Sequence, residues 1–275
     1  MIYKILKIVF VACCSLCISL EALHQPFIRI RQDSGRGIGY GSGYTTLEGT
    51  LYAFSPHKKI VPFVDLRAHH FNNNHYAMNA GVGLRIASSL KALGINAYYD
   101  YRDVPNLHFQ QIGIGLETLN TLWNLRINGY FPIGKKSRLA SSSKITTYFD
   151  DYCIYEEAFN ITLKGMNAEV EFLIVNSQSF SLWISAGPYF YHNTQHKLLG
   201  GKIALRSFIR QLFSLSASIT HDPFFGTRGQ AQISFTVPLG NKKKLSSYMN
   251  NIAMQPVQRN EILVLNKETG YNWNW

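Results

Sequence analysis

Three histidines crowd the stretch HHFNNNH, at His69, His70 and His75. A metal ion would need their ring nitrogens to converge at about 2.0–2.1 Å. The flanking residues alternate as a strand, so His69 and His70 point to opposite faces and cannot share an ion without a bulge. A strand end and a turn are the plainer reading, and no metal is expected. His221 precedes Asp222, with Ser214, Ser216 and Ser218 just upstream. Those are the parts of a serine hydrolase, in which a histidine activates the hydroxyl and an acid orients the ring. Mounted on a barrel wall, they would make a lipid-modifying enzyme. The serines alternate with Phe213, Leu215 and Ala217, and His221 follows the apolar register. The parts are therefore split between two faces, and no catalytic residue is assigned. The glycines of GIGYGSGY and GIGLE open no helix after a buried strand, so they give a phosphate group no cradle and no cofactor is expected.

Charged side chains on the polar faces of strands carry more information. In LGINAYYDYRD, Leu93, Ile95, Ala97, Tyr99 and Tyr101 share one face, and Gly94, Asn96, Tyr98, Asp100 and Arg102 share the other. The same alternation puts Glu48, Asp65, Arg67, Arg85, Glu117, Arg126 and Asn128 on polar faces. If those faces are enclosed, the charges need partners. Two arrangements would supply them. The charges can pair among themselves and only stabilise the wall, or they can hold something that passes between them.

The elements that position these residues are short strands. Alternating segments lie near 34–42, 45–54, 60–70, 75–87, 93–102, 107–118, 122–132, 165–175, 180–191, 199–209, 212–221 and 228–239, separated by Gly, Asn, Ser, Pro or charge. None has helical periodicity, and regular strand spacing indicates a sandwich or a barrel. Segments of about ten residues suit a tilted strand crossing a bilayer. Several apolar faces end in aromatics (Tyr52, Phe54, Tyr99, Tyr101, Phe131, Phe190), as interfacial girdles do. Only a closed barrel satisfies every strand hydrogen bond in lipid. The expected fold is thus an all-β, transmembrane antiparallel barrel of about twelve strands, its polar faces inward. The segment 137–159 is polar and Ser-rich, and reads as a long outer loop carrying Cys153.

Composition agrees. Of the 275 residues 46% are hydrophobic, 13% aromatic and only 16% charged, against about 25% charged in typical soluble domains. Lys4 and Lys7 precede an apolar run from 8 to 20, and Ala22 offers a cleavage site, so residues 1–22 read as a signal peptide. Cys13, Cys14 and Cys17 fall in that leader. Cys153 alone remains, which excludes an intramolecular disulfide framework. The formal charge of +11 and pI of about 9.5 come from dispersed basic residues and one cluster at Lys242–Lys244. Without a basic helix or an aromatic-basic motif there is no nucleic-acid signature, and anionic lipid is the better partner.

The run GRGIGYGSGYTTLEGTLYAF, FVDLRAHHF, NAGVGLRI, LGINAYYDYRD, FQQIGIGLE and LRINGYFPIG, in that order, resembles the β-domain of inverse autotransporters. This is the intimin and invasin family, and the resemblance is strongest to its shorter forms in chlamydia-like bacteria. It implies an outer-membrane barrel placed by the barrel-insertion machinery, acting as a translocator and not as an enzyme. A linker then follows the last strand, re-enters as a short helix and threads the lumen. KKKLSSYMNNIAM would be that helix, with Leu245, Tyr248, Met249 and Ile252 on one face. PVQRNEILVL, with Gln258, Arg259, Asn260 and Glu261, would be the extended piece in the pore. The expected organisation is signal peptide 1–22, barrel 23–240, and linker and tail 241–275 without a passenger domain. A plugged, surface-exposed pore follows, with its surface ligand open and Trp275 either in an exposed tail or serving as a sorting signal. A porin-like diffusion channel, its tail outside the lumen, is the alternative.

Overall fold

The computed structural model describes residues 23–54, 59–88, 90–105, 107–149, 152–210, 212–239 and 252–274. The strands run β1 Leu23–Gly35, β2 Tyr44–Phe54, β3 Ile60–Phe71, β4 Tyr76–Ala87, β5 Lys91–Val104, β6 Leu107–Asn120 and β7 Trp123–Ile133. They continue with β8 Ser137–Phe149, β9 Tyr152–Thr162, β10 Lys164–Asn176, β11 Phe180–His192, β12 Lys197–Ile209, β13 Phe213–Asp222, β14 Gly226–Pro238 and β15 Leu265–Asn274. Twelve of them close an antiparallel barrel in the order β1, β14, β13, β12, β11, β10, β7, β6, β5, β4, β3, β2. The closing seam pairs β1 with β14, from Phe27 opposite Pro238 to Gly35 opposite Gln230. No sheet edge is left in the wall, which meets the demand that lipid makes on backbone polar groups.

Alternation decides the faces. On β4 and β5, Met78, Val82, Ile86, Leu93 and Ile95 stand exposed on the outer wall, while Asn79, Arg85, Asn96, Asp100 and Arg102 are buried inside. An apolar outside and a polar inside is the reverse of a soluble protein, and is the arrangement of a transmembrane barrel.

The number of wall strands agrees with the sequence reading, but the first one is elsewhere. It was expected near 34–42, whereas β1 begins at Leu23 and 36–43 is a loop at one mouth of the barrel. Ile28 and Ile30 alternate with Arg29, Arg31 and Asp33 there, a strand pattern hidden by its position directly after the leader. Gly39 turns the loop at φ 77°, a conformation that suits glycine.

Two further expectations change. Tyr52 was read as a girdle residue, yet it lies inside the barrel, 2% exposed, because it shares the register of Glu48 and Thr50. The segment 137–159 is no irregular loop. Most of it forms the β8–β9 hairpin, which leaves the wall so that β7 pairs directly with β10. With β15 it makes a second, three-stranded sheet in the order β15, β9, β8. A hairpin outside the bilayer needs no apolar stripe, so it gave no membrane-strand signal. The leader 1–22, the expected helix positions Leu245, Tyr248 and Met249, the cluster Lys242–Lys244 and Trp275 lie outside the described residues. Of that helix, Ile252–Met254 form one 3-10 turn.

Candidate functional site

The lumen is filled by the chain's own C-terminal segment. From Ile252 to Asn266 the chain is buried or half-buried. Each apolar side chain finds a different sector. Ile252, Ala253, Met254 and Val257 pack with Tyr52, Val61, Phe63 and Tyr98. Ile262 joins Tyr40, Tyr44 and Phe71. Leu263 and Leu265 meet Val104 and Phe109. Val264 sits among Tyr130, Tyr189 and Tyr191.

An extended segment leaves backbone carbonyls unpaired, and burying them without partners costs free energy. The wall supplies the donors. Arg85 Nη1 donates to the carbonyls of Ala253 and Gln255 at 2.7 and 2.6 Å. The Tyr52 hydroxyl also reaches Gln255 O at 3.0 Å. Arg67 Nη2 donates to Val257 O at 3.0 Å, Asn128 to Gln258 O at 3.4 Å, Asn79 to Glu261 O at 2.8 Å and Arg102 to Leu263 O at 2.6 Å. Hydrogen bonds with an ionised donor are worth roughly 1.5–3 kcal/mol each.

Side chains of the segment are seated as well. Arg259 is held by both oxygens of Asp100, at 2.7 and 2.6 Å, and lies over the ring of Tyr98 at 4.4 Å. Asp100 also accepts from Asn79 and Gln111 at 2.8 and 2.9 Å, so its oxygens are well supplied. Gly113 faces this guanidinium, and a Cβ there would collide with Arg259 Nη2. Glu261 accepts from Arg31, from Arg67 at 2.8 Å and from the Tyr44 hydroxyl at 3.0 Å. The Asn260 backbone N–H donates to the Tyr130 hydroxyl at 2.7 Å, and its side chain donates to the Tyr191 hydroxyl at 2.7 Å.

The candidate wall residues are all buried, and they divide by partner. Arg67, Arg85, Asp100, Arg102 and Asn128 touch the segment. Asp65 and Glu117 brace them, Asp65 through Arg67 Nη2 at 2.6 Å and Glu117 through Arg85 Nε at 2.7 Å. Glu48 pairs with Arg29 at 3.4 Å and Arg31 at 3.7 Å. Arg126 turns away from the segment to Glu171 at 2.8 Å, within a wall network that adds Glu169 and Arg206. Asn96 is buried beside Gly115, its Oδ1 without a protein partner. Both arrangements left open by the sequence therefore coexist, in different sectors of one wall. The sequence reading did not single out Arg31, Tyr44, Tyr191 or Arg206. Their inward register was the available signal.

At the mouth where β1 ends, the loop 36–43 folds over the lumen. Arg102 Nη1 donates to Gly39 O at 3.0 Å, and Arg228 Nη1 to the carbonyls of Gly37 and Tyr40. Burial, reinforced by the charge of Asp33, pushes the Tyr40 hydroxyl up to about 12, so it stays protonated. The segment leaves the lumen at this mouth. Leu163 N–H donates to Val264 O at 3.1 Å, and β15 then pairs with β9 from Leu265 opposite Thr162 to Asn274 opposite Cys153.

The other candidate chemistries are placed apart. His69 is inside, between Thr46 and Asn79, while His70 faces outward against the ring of Tyr76. Among the described residues no group of His, Cys, Asp or Glu is arranged for a metal. His221 is exposed and bonded to Thr227 at 2.8 Å, whereas Asp222 is buried and accepts from the Tyr189 hydroxyl at 2.7 Å. The histidine and the acid are split across the wall.

A family model described as the inverse autotransporter β-domain matches residues 41–228. No curated protein matches the chain. The fold is similar to that of a structure reported as "Unveiling the Mechanism Behind the in-meso Crystallization of Membrane Proteins", with a TM-score of 0.66 and 14% identity over 89% of this chain and 100% of that one. More distant likenesses are a KdgM porin, with a TM-score of 0.45 and 6% identity over 76% and 98% of the two chains, and the translocator domain of autotransporter NalP from Neisseria meningitidis, at 0.39 and 11% over 85% and 95%.

Proposed function

Because this chain belongs to the inverse autotransporter β-domain family, we propose that it is a translocator barrel plugged by its own C-terminal segment, which runs through the pore and carries the last strand to the cell surface. It is an outer-membrane β-barrel, and the family is a secretion barrel domain. The observation that carries the proposal is the buried run from Ile252 to Asn266, hydrogen-bonded to the wall through its own carbonyls.

In this reading residues 1–22 direct export and are removed, 23–240 form the membrane domain delivered by the insertion machinery, and 241–275 form the linker and tail. The end where β1 starts and β14 stops faces the periplasm. The long connection 36–43 and the β8–β9 hairpin at the other end support that orientation, since outer-membrane barrels keep their longer loops on the extracellular side. The opposite end bears the β8–β9 hairpin and β15. The inner charges serve the threaded segment and the wall, and no catalytic step is assigned to them.

An epitope fused after Trp275 tests the reading. Added protease should remove it in intact cells whose barrel fractionates with the outer membrane. Removal only after permeabilisation would place the tail in the periplasm and favour an open diffusion channel.

A further inference from the structure

The polar contacts between wall and segment are of two kinds, and they differ in what they can recognise. Arg67, Arg85, Arg102, Asn79, Asn128 and Tyr52 donate to backbone carbonyls. Every residue has a carbonyl, and past the 3-10 turn at Ile252–Met254 the chain, though bent at Gln255, Arg259 and Ile262, runs without helix. Where such a chain is extended it repeats its carbonyl direction every two residues, about 6.5 Å. A slip by two residues would present new carbonyls to the same donors. These contacts grip a polypeptide without reading its sequence or its position.

Among the polar side chains of the described segment, three break that degeneracy, and they are consecutive. The apolar side chains that flank them add shape but no charge that a slip would leave unpaired. Arg259 occupies a seat made of a bidentate carboxylate, Asp100, a ring face, Tyr98, and a clearance left by Gly113. Glu261 occupies a seat of opposite sign, made of Arg31, Arg67 and Tyr44. Asn260 bonds two tyrosine hydroxyls. Shifted by two residues toward the mouth, Val257 would meet Asp100, and Arg259 would meet the arginines that now hold Glu261. An unpaired buried charge or a like-charge contact would result, and either is strongly unfavourable.

We propose that Arg259 and Glu261 are positioning residues that arrest the segment at one register. The lumen is then a sequence-independent track for extended chain until these two residues reach their seats. The inference rests on the threaded reading above.

Spin labels test it in the full chain within outer-membrane vesicles, on a Cys153→Ser background. One label replaces exposed Asn73 on the β3–β4 turn, and the other replaces exposed Lys267 on β15. The unsubstituted linker should give one narrow distance. Arg259→Gln with Glu261→Gln should add a population displaced along the chain by multiples of about 6.5 Å. The charge swap Asp100→Arg with Arg259→Asp should restore the single distance, whereas Arg259→Asp alone should not. One unchanged narrow distance in the doubly neutral variant would overturn the lock, as would a swap no better than Arg259→Asp alone. The threaded reading is checked separately. If an impermeant relaxation agent outside intact cells fails to reach the label at 267 in the unsubstituted linker, threading itself fails and the lock falls with it.

Discussion

Replacing Arg85 by Met removes a side chain that is 0% exposed and joins three parts of the lumen. Its Nε binds Glu117 at 2.7 Å, its Nη1 binds two linker carbonyls, and its guanidinium covers the ring of Phe63 at 4.9 Å. Gln255 O keeps its bond from Tyr52, but Ala253 O loses a charged donor, which costs about 1.5–3 kcal/mol. The main cost falls on Glu117, for which Arg85 is the ion-pair partner and which would be left charged and buried. Breaking a buried pair from one side costs about 3–5 kcal/mol. At roughly 2–4 °C per kcal/mol for a chain of this size, the unfolding midpoint should fall by about 6–20 °C. Arg85→Met with Glu117→Gln removes the orphaned charge and should recover most of that loss. The assay is the shift in gel mobility between folded and unfolded barrel in detergent, at a fixed heating rate. Equal midpoints for the single and double variants, or a single variant within about 1 kcal/mol of the parent, would refute the pairing, because removing one partner of a real buried pair cannot be that mild.

Deleting residues 252–274 should raise ion conductance in planar bilayers severalfold over the full chain, and an unchanged conductance would mean that the segment is not what blocks the lumen. Asp222→Ala removes the acceptor for the Tyr189 hydroxyl and for the N–H groups of Phe224 and Phe225. A loss of about 1–3 kcal/mol is expected, read as a lower midpoint in the same mobility assay. His221→Ala should leave stability within about 0.5 kcal/mol, since the ring is exposed and its one bond is to an exposed threonine. The same variant should leave any lipid hydrolysis by the purified barrel unchanged, and a loss would reopen the split His221 and Asp222 pair.

How much of this was legible depended on the environment of each strand. On β5 the bilayer imposes a strict period of two, so the inward set Asn96, Asp100 and Arg102 could be read directly. Inner tyrosines were harder: Tyr98 fell in that same inward set, but Tyr52 did not. A tyrosine suits both a membrane interface and a lumen packed with a polypeptide, and Tyr52 was assigned to the first when its register belongs to the second. The β8–β9 hairpin was invisible for the opposite reason, since lipid imposes no pattern on it. Partner choice was beyond the sequence altogether. Arg85 and Arg126 are both inward arginines, but one reaches the linker and the other reaches Glu171, a difference set by the path of the segment through the lumen.

That path also sets how the molecule would bear a load. β15 leaves the lumen at Leu265 and ends beside the tip of the hairpin, antiparallel to β9, whose own anchor is at the rim through β10. A pull on the outer end of β15 would thus be resisted from the other end of β9. The two strands would be loaded in shear, with their hydrogen bonds stressed together and not peeled one after another. Should that sheet yield, the tension would pass down the chain to Glu261 and Arg259 in their seats. On the threaded reading, that end of the barrel would act as a tether with two brakes in series.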